Sequence, residues 1–105
     1  MKNGALASDC SLPMIICFHT NYSGAYHLIK PVISDLKDDY QSELDFAFIE
    51  KGKNLSLEKK YEVVLFPTLL LVWKEEIFVK LHGLINRQEL YDHVDDLLIE
   101  VNKNR

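Results

Sequence analysis

The residues that could perform chemistry are few, and the clearest pair lies in the first third of the chain. Ser23 and His27 are separated by one helical turn, so the serine could act as a nucleophile with the histidine as its base. No acidic residue nearby in the sequence would orient that histidine, and serine is also a common residue at the start of a helix. The sequence therefore allows two roles for Ser23, a nucleophile or a helix N-cap.

The two cysteines, Cys10 and Cys17, are too few for a disulfide scaffold or a cysteine-based zinc site. Cys17 lies in an apolar run and is expected to be buried, where a thiol is inert, whereas Cys10 is expected to be exposed. An extended chain across Pro13 would hold the two sulfurs too far apart for a disulfide. One alternative remains open, an enzyme that uses either thiol or a glutathione bound near Ser23.

Length and composition exclude several classes of function. The chain has 105 residues, which argues for one domain, and 12 Lys+Arg against 16 Asp+Glu give a net charge of -4. We therefore expect no nucleic-acid partner. No apolar run approaches the roughly 20 residues of a membrane-spanning helix, and the first twelve residues lack a signal peptide's features, so we expect no membrane association and a cytoplasmic location. The histidines show no metal-ligand spacing, and no metal or other cofactor is expected.

The elements that would position these residues alternate between strands and helices. Strands are predicted at 14–18, 44–49, 68–73 and 77–82, and helices at 23–40, 55–61 and 87–101. Pro67 cannot lie in a central strand, so a loop is predicted at 64–67. Ile77, Val79 and Leu81 alternate with Phe78, Lys80 and His82, which predicts a half-buried last strand. The fold class is α/β, with a mixed four-stranded sheet and helices on both faces.

Four local features occur together in one order along the chain. They are Tyr22-Ser23-Gly24-Ala25-Tyr26 after the first strand, Pro31 within the first long helix, Phe66-Pro67-Thr68 before the third strand, and Gly83 after the last strand. In this order and at this spacing they resemble the thioredoxin family, from Pro13 to about Leu98. The resemblance implies a thioredoxin fold with a shortened N-terminal strand and helix. It divides the chain into a short N-terminal segment, residues 1–12, and a thioredoxin-like domain, residues 13–105.

The chain departs from this family at the residues that carry its chemistry. Where the family has two catalytic cysteines, Ser23 and Tyr26 stand here. Disulfide exchange needs a thiolate and a second sulfur, so the protein-disulfide oxidoreductase activity of the family is not expected, and we lean toward a protein that is not an enzyme. The family also has a buried Asp and a Lys beneath the cysteines. Those positions are Cys17 and Phe48 here, which predicts an apolar interior.

The resemblance also implies a surface for an extended peptide or protein partner. In the family, the backbone just before a cis proline pairs with an extended substrate segment, and Phe66 would offer that backbone here. The predicted contact residues are Tyr22, Gly24, Ala25, Phe66, Pro67 and Thr68. Tyr22 and Tyr26 are expected either to form an exposed aromatic platform or to pack against the Pro67 loop. The predicted function is a redox-inactive binding or scaffold module, related by family to redox homeostasis.

The N-terminal segment is predicted to be too short for the strand and the helix that usually precede the matched region in the family. Residues 6–10 are expected to form a single helical turn, or to leave the sheet edge bare. A bare edge could pair with a second copy and produce a homo-oligomer.

Overall fold

The computed structural model describes residues 12–104. Within this range the elements are β1 (Met14–His19), α1 (Gly24–Asp39), β2 (Asp45–Glu50), α2 (Leu55–Lys60), β3 (Thr68–Trp73), β4 (Glu76–His82) and α3 (Arg87–Lys103). The predicted order of strands and helices is confirmed. The helical turn predicted for residues 6–10, and Cys10 with it, lie outside the described residues. No helix between residues 12 and 104 has both the length and the apolar character needed to cross a membrane.

The four strands form one mixed sheet in the order β2-β1-β3-β4. β1 pairs with β2 in parallel, whereas the pairs β1–β3 and β3–β4 are antiparallel. β1 and β3 lie in the centre and are apolar on both faces, which is why each reads as an unbroken hydrophobic run in the sequence. β2 lies at one edge of the sheet, next to β1. The predicted mixed sheet is confirmed.

Helices cover both faces of the sheet, as predicted. On one face, α1 and α3 contribute apolar side chains to a core with Ile15, Cys17, Leu69 and Leu71. On the other face, Ile16, Phe18, Leu70 and Val72 pack against the segment that follows α2, chiefly Tyr61 and Val63. The alternation of side chains along β1 and β3 therefore divides their residues between two separate apolar layers.

Hydrogen bonds and an ion pair between side chains tie α1 to α3 across the solvent-exposed edge of their interface. They are Tyr40 Oη to Asp95 Oδ1 at 2.6 Å, Tyr91 Oη to Asp39 Oδ2 at 2.7 Å, and Arg87 Nη2 to Asp35 Oδ2 at 2.6 Å. Burial and the hydrogen bond to Asp39 raise the pKa of Tyr91 to about 12. The Tyr91 hydroxyl therefore stays a hydrogen-bond donor throughout the neutral range.

A lysine on the outermost strand holds the end of α2. Lys80 Nζ donates hydrogen bonds to the carbonyl oxygens of Tyr61 at 2.9 Å and Glu62 at 2.8 Å. Glu62 has a positive φ of 53°, which turns the chain sharply after α2. The loop between α2 and β3 therefore begins at a point that β4 fixes.

The burial predicted for β4 is wrong at its beginning. Val79 and Leu81 pack against the core as expected, but Ile77 and its neighbour Phe78 are exposed. The register between β3 and β4 shifts between Leu71 and Val72, which marks a β-bulge. Because a bulge inserts one residue into a strand, it breaks the alternation of faces on which the prediction depended.

Candidate functional site

The predicted site segments meet at one end of the sheet because β1 and β3 are antiparallel neighbours. Phe18, near the end of β1, pairs with Thr68, the first residue of β3. The chain therefore leaves the sheet at residues 20–23 beside the point where residues 65–67 enter it. Segments 22–26 and 66–68, which are far apart in the sequence, therefore lie at the same end of the sheet.

Ser23 is the N-cap of α1. Its Oγ accepts a hydrogen bond from the backbone N–H of Tyr26 at 3.2 Å, which satisfies one of the free donors at the helix start. His27 Nε2 donates to the carbonyl oxygen of Asn21 at 2.9 Å. Since the imidazole is hydrogen-bonded to the backbone and not to the Ser23 hydroxyl, the geometry favours the cap and not the nucleophile.

Tyr26 lies beneath the surface, so of the two arrangements expected for it, the exposed platform shared with Tyr22 is wrong. Its side chain is 5% exposed and stacks on the ring of His19, with centroids 4.2 Å apart and planes 9° from parallel. Tyr22, in contrast, is 98% exposed. The helical period contains the signal for this difference, because Tyr26 begins the buried stripe of α1 that continues through Ile29 and Ile33.

His19 is a site residue that sequence reasoning missed. It is 8% exposed, its ring meets the edge of Phe48 with centroids 6.4 Å apart, and its Nδ1 is buried without a hydrogen-bond partner among the described residues. Burial lowers the pKa of His19. The charge of Glu50 opposes this shift, and that of Lys30 adds to it. The sequence signal for its burial was its position directly after the apolar run of a central strand.

The lowered pKa of His19 predicts that the protein loses stability in mild acid. The unfolded chain takes up a proton on this residue near pH 6.5, whereas the folded chain resists it, so the free energy of unfolding falls as the pH drops below that value. Denaturant titrations over a pH series should show this slope. His19→Phe, which cannot titrate, should have a shallower slope over the same range, and equal slopes in the two proteins would contradict the prediction.

Cys17 on β1 and Phe48 on β2 are partners in the register of the sheet. Cys17 is buried as predicted, and burial raises the pKa of its thiol to about 12, so it carries almost no thiolate at neutral pH. Phe48 is partly exposed, which corrects the expectation that it completes an apolar interior. The reason is its place on β2 at the edge of the sheet, where no described strand covers its outer side.

The loop before β3 presents a free stretch of backbone. The Phe66–Pro67 peptide bond is cis, and the Pro67 carbonyl accepts a hydrogen bond from Gly83 N–H at 2.9 Å. No hydrogen bond within residues 12–104 uses the backbone N–H or carbonyl of Phe66. Thr68 does not belong to the predicted contact surface, because it is fully buried and its hydroxyl donates to the Leu65 carbonyl at 2.6 Å. Its hydrogen bond shapes the loop instead.

Exposed apolar side chains surround this backbone. Leu84 follows Gly83, whose φ of +69° turns the chain beside Pro67, and it is 69% exposed. Leu65 is also exposed, and Phe66 is half-buried. Of the other predicted contacts, Gly24 is exposed, Ala25 is half-buried and Pro67 is buried. Sequence reasoning missed Leu84 because a lone leucine after a glycine forms no periodic pattern.

The start of α1 carries no thiol, because Ser23 and Tyr26 stand there. Within the part of the chain that the structure describes, no group of three or more His, Cys, Asp or Glu side chains is placed to hold a metal ion. Peptide N–H and carbonyl groups, together with Tyr22 and Leu84, are suited to hydrogen bonding and apolar contact with another chain.

Solved structures with this architecture include several thioredoxins. The germline-specific thioredoxin Deadhead of Drosophila melanogaster superposes with a TM-score of 0.76 at 16% identity, over 88% of this chain and 87% of the other. The thioredoxin of Fasciola hepatica gives 0.72 at 20% identity, over 81% of this chain and 80% of its own. At sequence identities of 16% and 20%, this structural similarity establishes the fold.

Relatives by sequence agree with that fold. The thioredoxin of Staphylococcus epidermidis is 28% identical over 81 residues, which is 77% of this chain and 78% of the relative. The thioredoxin of Staphylococcus aureus is 27% identical over the same shares. The family model named Thioredoxin matches residues 5–96, which is most of the chain. Because the family model covers most of the chain and the fold agrees with it, the chain belongs to the thioredoxin family.

Proposed function

We propose that this protein binds extended segments of other proteins and does not exchange disulfides at the start of α1. The observation that carries the proposal is the backbone of Phe66 beside Pro67, which forms no hydrogen bond within residues 12–104, with the exposed side chains of Tyr22 and Leu84 at the same end of the sheet. An extended segment could add its own backbone hydrogen bonds there, while its side chains contact the apolar rim.

The absence of sulfur at the helix start supports the second half of the proposal. Ser23 and Tyr26 each offer a hydroxyl, which cannot form or resolve a disulfide. The alternative, a single-thiol enzyme, gains nothing from Cys17, since its thiol is buried and protonated. Cys10 lies outside the described residues. We also propose a cytoplasmic location, where a free thiol such as Cys17 persists.

The full-length protein should fail to accelerate insulin reduction by dithiothreitol above a blank without protein.

In a selection from a library of random linear peptides, the same protein should enrich binders. Tyr22→Ala and Leu84→Ala should each weaken the best peptide roughly tenfold, as expected for exposed apolar contacts at the centre of an interface. The exposed Ile99, on α3, offers the matched control Ile99→Ala, which should bind normally. Turnover of insulin, or no enriched peptide, would refute the proposal.

Pairing of two copies through the sheet edge stays a prediction. β2 is an edge strand of the described sheet, which leaves one row of its backbone groups available for pairing. Light scattering that reports a monomer at high concentration would count against a homo-oligomer.

A further inference from the structure

Two lysines lie against aromatic side chains of the site. Lys30 Nζ is 5.8 Å from the ring centroid of Tyr26, and Lys51 Nζ is 5.3 Å from that of Phe66. Both belong to the surroundings of His19, because Tyr26 stacks on its ring and the Lys51 N–H donates to its carbonyl oxygen at 2.7 Å. Two ammonium groups from α1 and from the loop after β2 are therefore held at the rim of one surface.

Neither ammonium group is neutralised by a neighbour. Both lysines are exposed, and neither forms an ion pair with any carboxylate of residues 12–104. Elsewhere, Lys60 is paired with Glu75 at 2.6 Å. Glu50 is the acidic residue whose charge acts on His19, and it forms no ion pair with either lysine. A second carboxylate, that of Glu58, accepts a hydrogen bond from the Gly52 N–H at 2.8 Å beside Lys51, and it likewise forms no ion pair with either lysine.

The acidic side chains of α1 lie at its other end. Asp35, Asp38 and Asp39 follow Ser23 by three or more turns, which places the first of them about 18 Å along the axis from the helix start. The helix dipole acts within the first and last turns of a helix, and Lys30 lies between these turns, whereas Lys37 lies in the last one. The helix dipole therefore does not account for Lys30, whose ammonium group, like that of Lys51, has no ion pair within residues 12–104 although the chain has a net charge of -4.

We propose that the partner of this surface is an acidic extended segment, with a carboxylate side chain next to an apolar one. The inference rests on the proposed binding function and adds the chemistry of the partner. The apolar side chain would contact Tyr22 and Leu84, and the carboxylate would lie near Lys30 or Lys51. Such charge complementarity increases the rate of association. It also disfavours basic segments, which could otherwise form hydrogen bonds with the same Phe66 backbone.

The experiment uses the full-length protein and a library of random linear peptides. We expect the enriched peptides to contain more Asp and Glu than the starting library, beside an apolar residue. For a synthetic peptide from this set, the double variant Lys30→Glu/Lys51→Glu should weaken binding roughly tenfold or more, since each exposed attraction becomes a repulsion. The control Lys37→Glu/Lys103→Glu makes the same change in net charge at exposed lysines near the ends of α1 and α3, and it should have little effect.

The outcomes separate this inference from the function on which it rests. Enriched peptides without carboxylates, or equal effects of the two double variants, would overturn the acidic preference and leave peptide binding standing. Failure to enrich any peptide would overturn both. Selection repeated with Lys30→Glu/Lys51→Glu should favour basic peptides, and an unchanged acidic preference would contradict the role of these lysines.

Discussion

The double variant Ser23→Cys/Tyr26→Cys is expected to form a disulfide that dithiothreitol reduces, and to accelerate insulin reduction above the level of the natural chain. Residues three apart on a helix have Cβ atoms about 5–6 Å apart, so a small adjustment of this first turn brings two sulfurs into bonding range. The side chain of residue 23 already lies over this turn, since Ser23 Oγ is 3.2 Å from the Tyr26 nitrogen. The helix start would also lower the pKa of the new thiol there.

Tyr26→Cys is also expected to lower the stability of the fold, and the experiment must separate this loss from disulfide formation. It removes a buried ring from its stack on His19, and truncation of a large buried side chain costs about 3–5 kcal/mol. Each single variant therefore serves as a control, for stability and for alkylation before and after reduction. If the folded double variant keeps two freely alkylated thiols under oxidising conditions, the first turn is not arranged as we describe.

Phe18→Ala should reduce the free energy of unfolding by about 3–5 kcal/mol, which is a large share of the stability of a small domain. Phe18 is fully buried on the central strand β1 and packs in the apolar layer beneath α2, where a cavity cannot close without moving two strands. Denaturant titration monitored by far-UV circular dichroism measures the loss.

The matched control for this core substitution is Tyr22→Ala, which removes an aromatic ring of similar size from the surface. Tyr22 is 98% exposed, so its removal should change stability by no more than about 0.5 kcal/mol. Similar losses in the two variants would mean that Phe18 is not the closely packed core residue that the structure shows.

The order of elements was predictable because each one carries its own local pattern. β1 and β3 are short apolar runs with polar flanks, and the buried stripe of α3 recurs at the helical period through Leu90, Val94, Leu97 and Val101. Pro67 excluded a strand at its own position and so fixed where β3 begins. These features depend on a few neighbouring residues, which is why the sequence alone was sufficient for the fold.

Features that depend on distant parts of the chain were not predictable in the same way. The bulge that exposes Ile77 arises from the pairing of two strands, and the exposure of Phe48 follows from the position of β2 at the sheet edge. The sequence analysis left Tyr26 open between an exposed platform and local packing, and the structure places it in the buried stripe of α1. Lys51 meets Phe66 only because a loop after β2 approaches the loop before β3.

The hydrogen bonds from Lys80 to the end of α2 have a consequence for local motion. α2 has only six residues and none of them is buried, so by itself it would open easily. The Tyr61 and Glu62 carbonyls are nevertheless attached to β4, and the loop that carries Phe66 starts there. Detachment of this loop requires both hydrogen bonds from Lys80 to break. The rate of amide-proton exchange in residues 63–66 should therefore depend on local opening of β4 more than on fraying of α2.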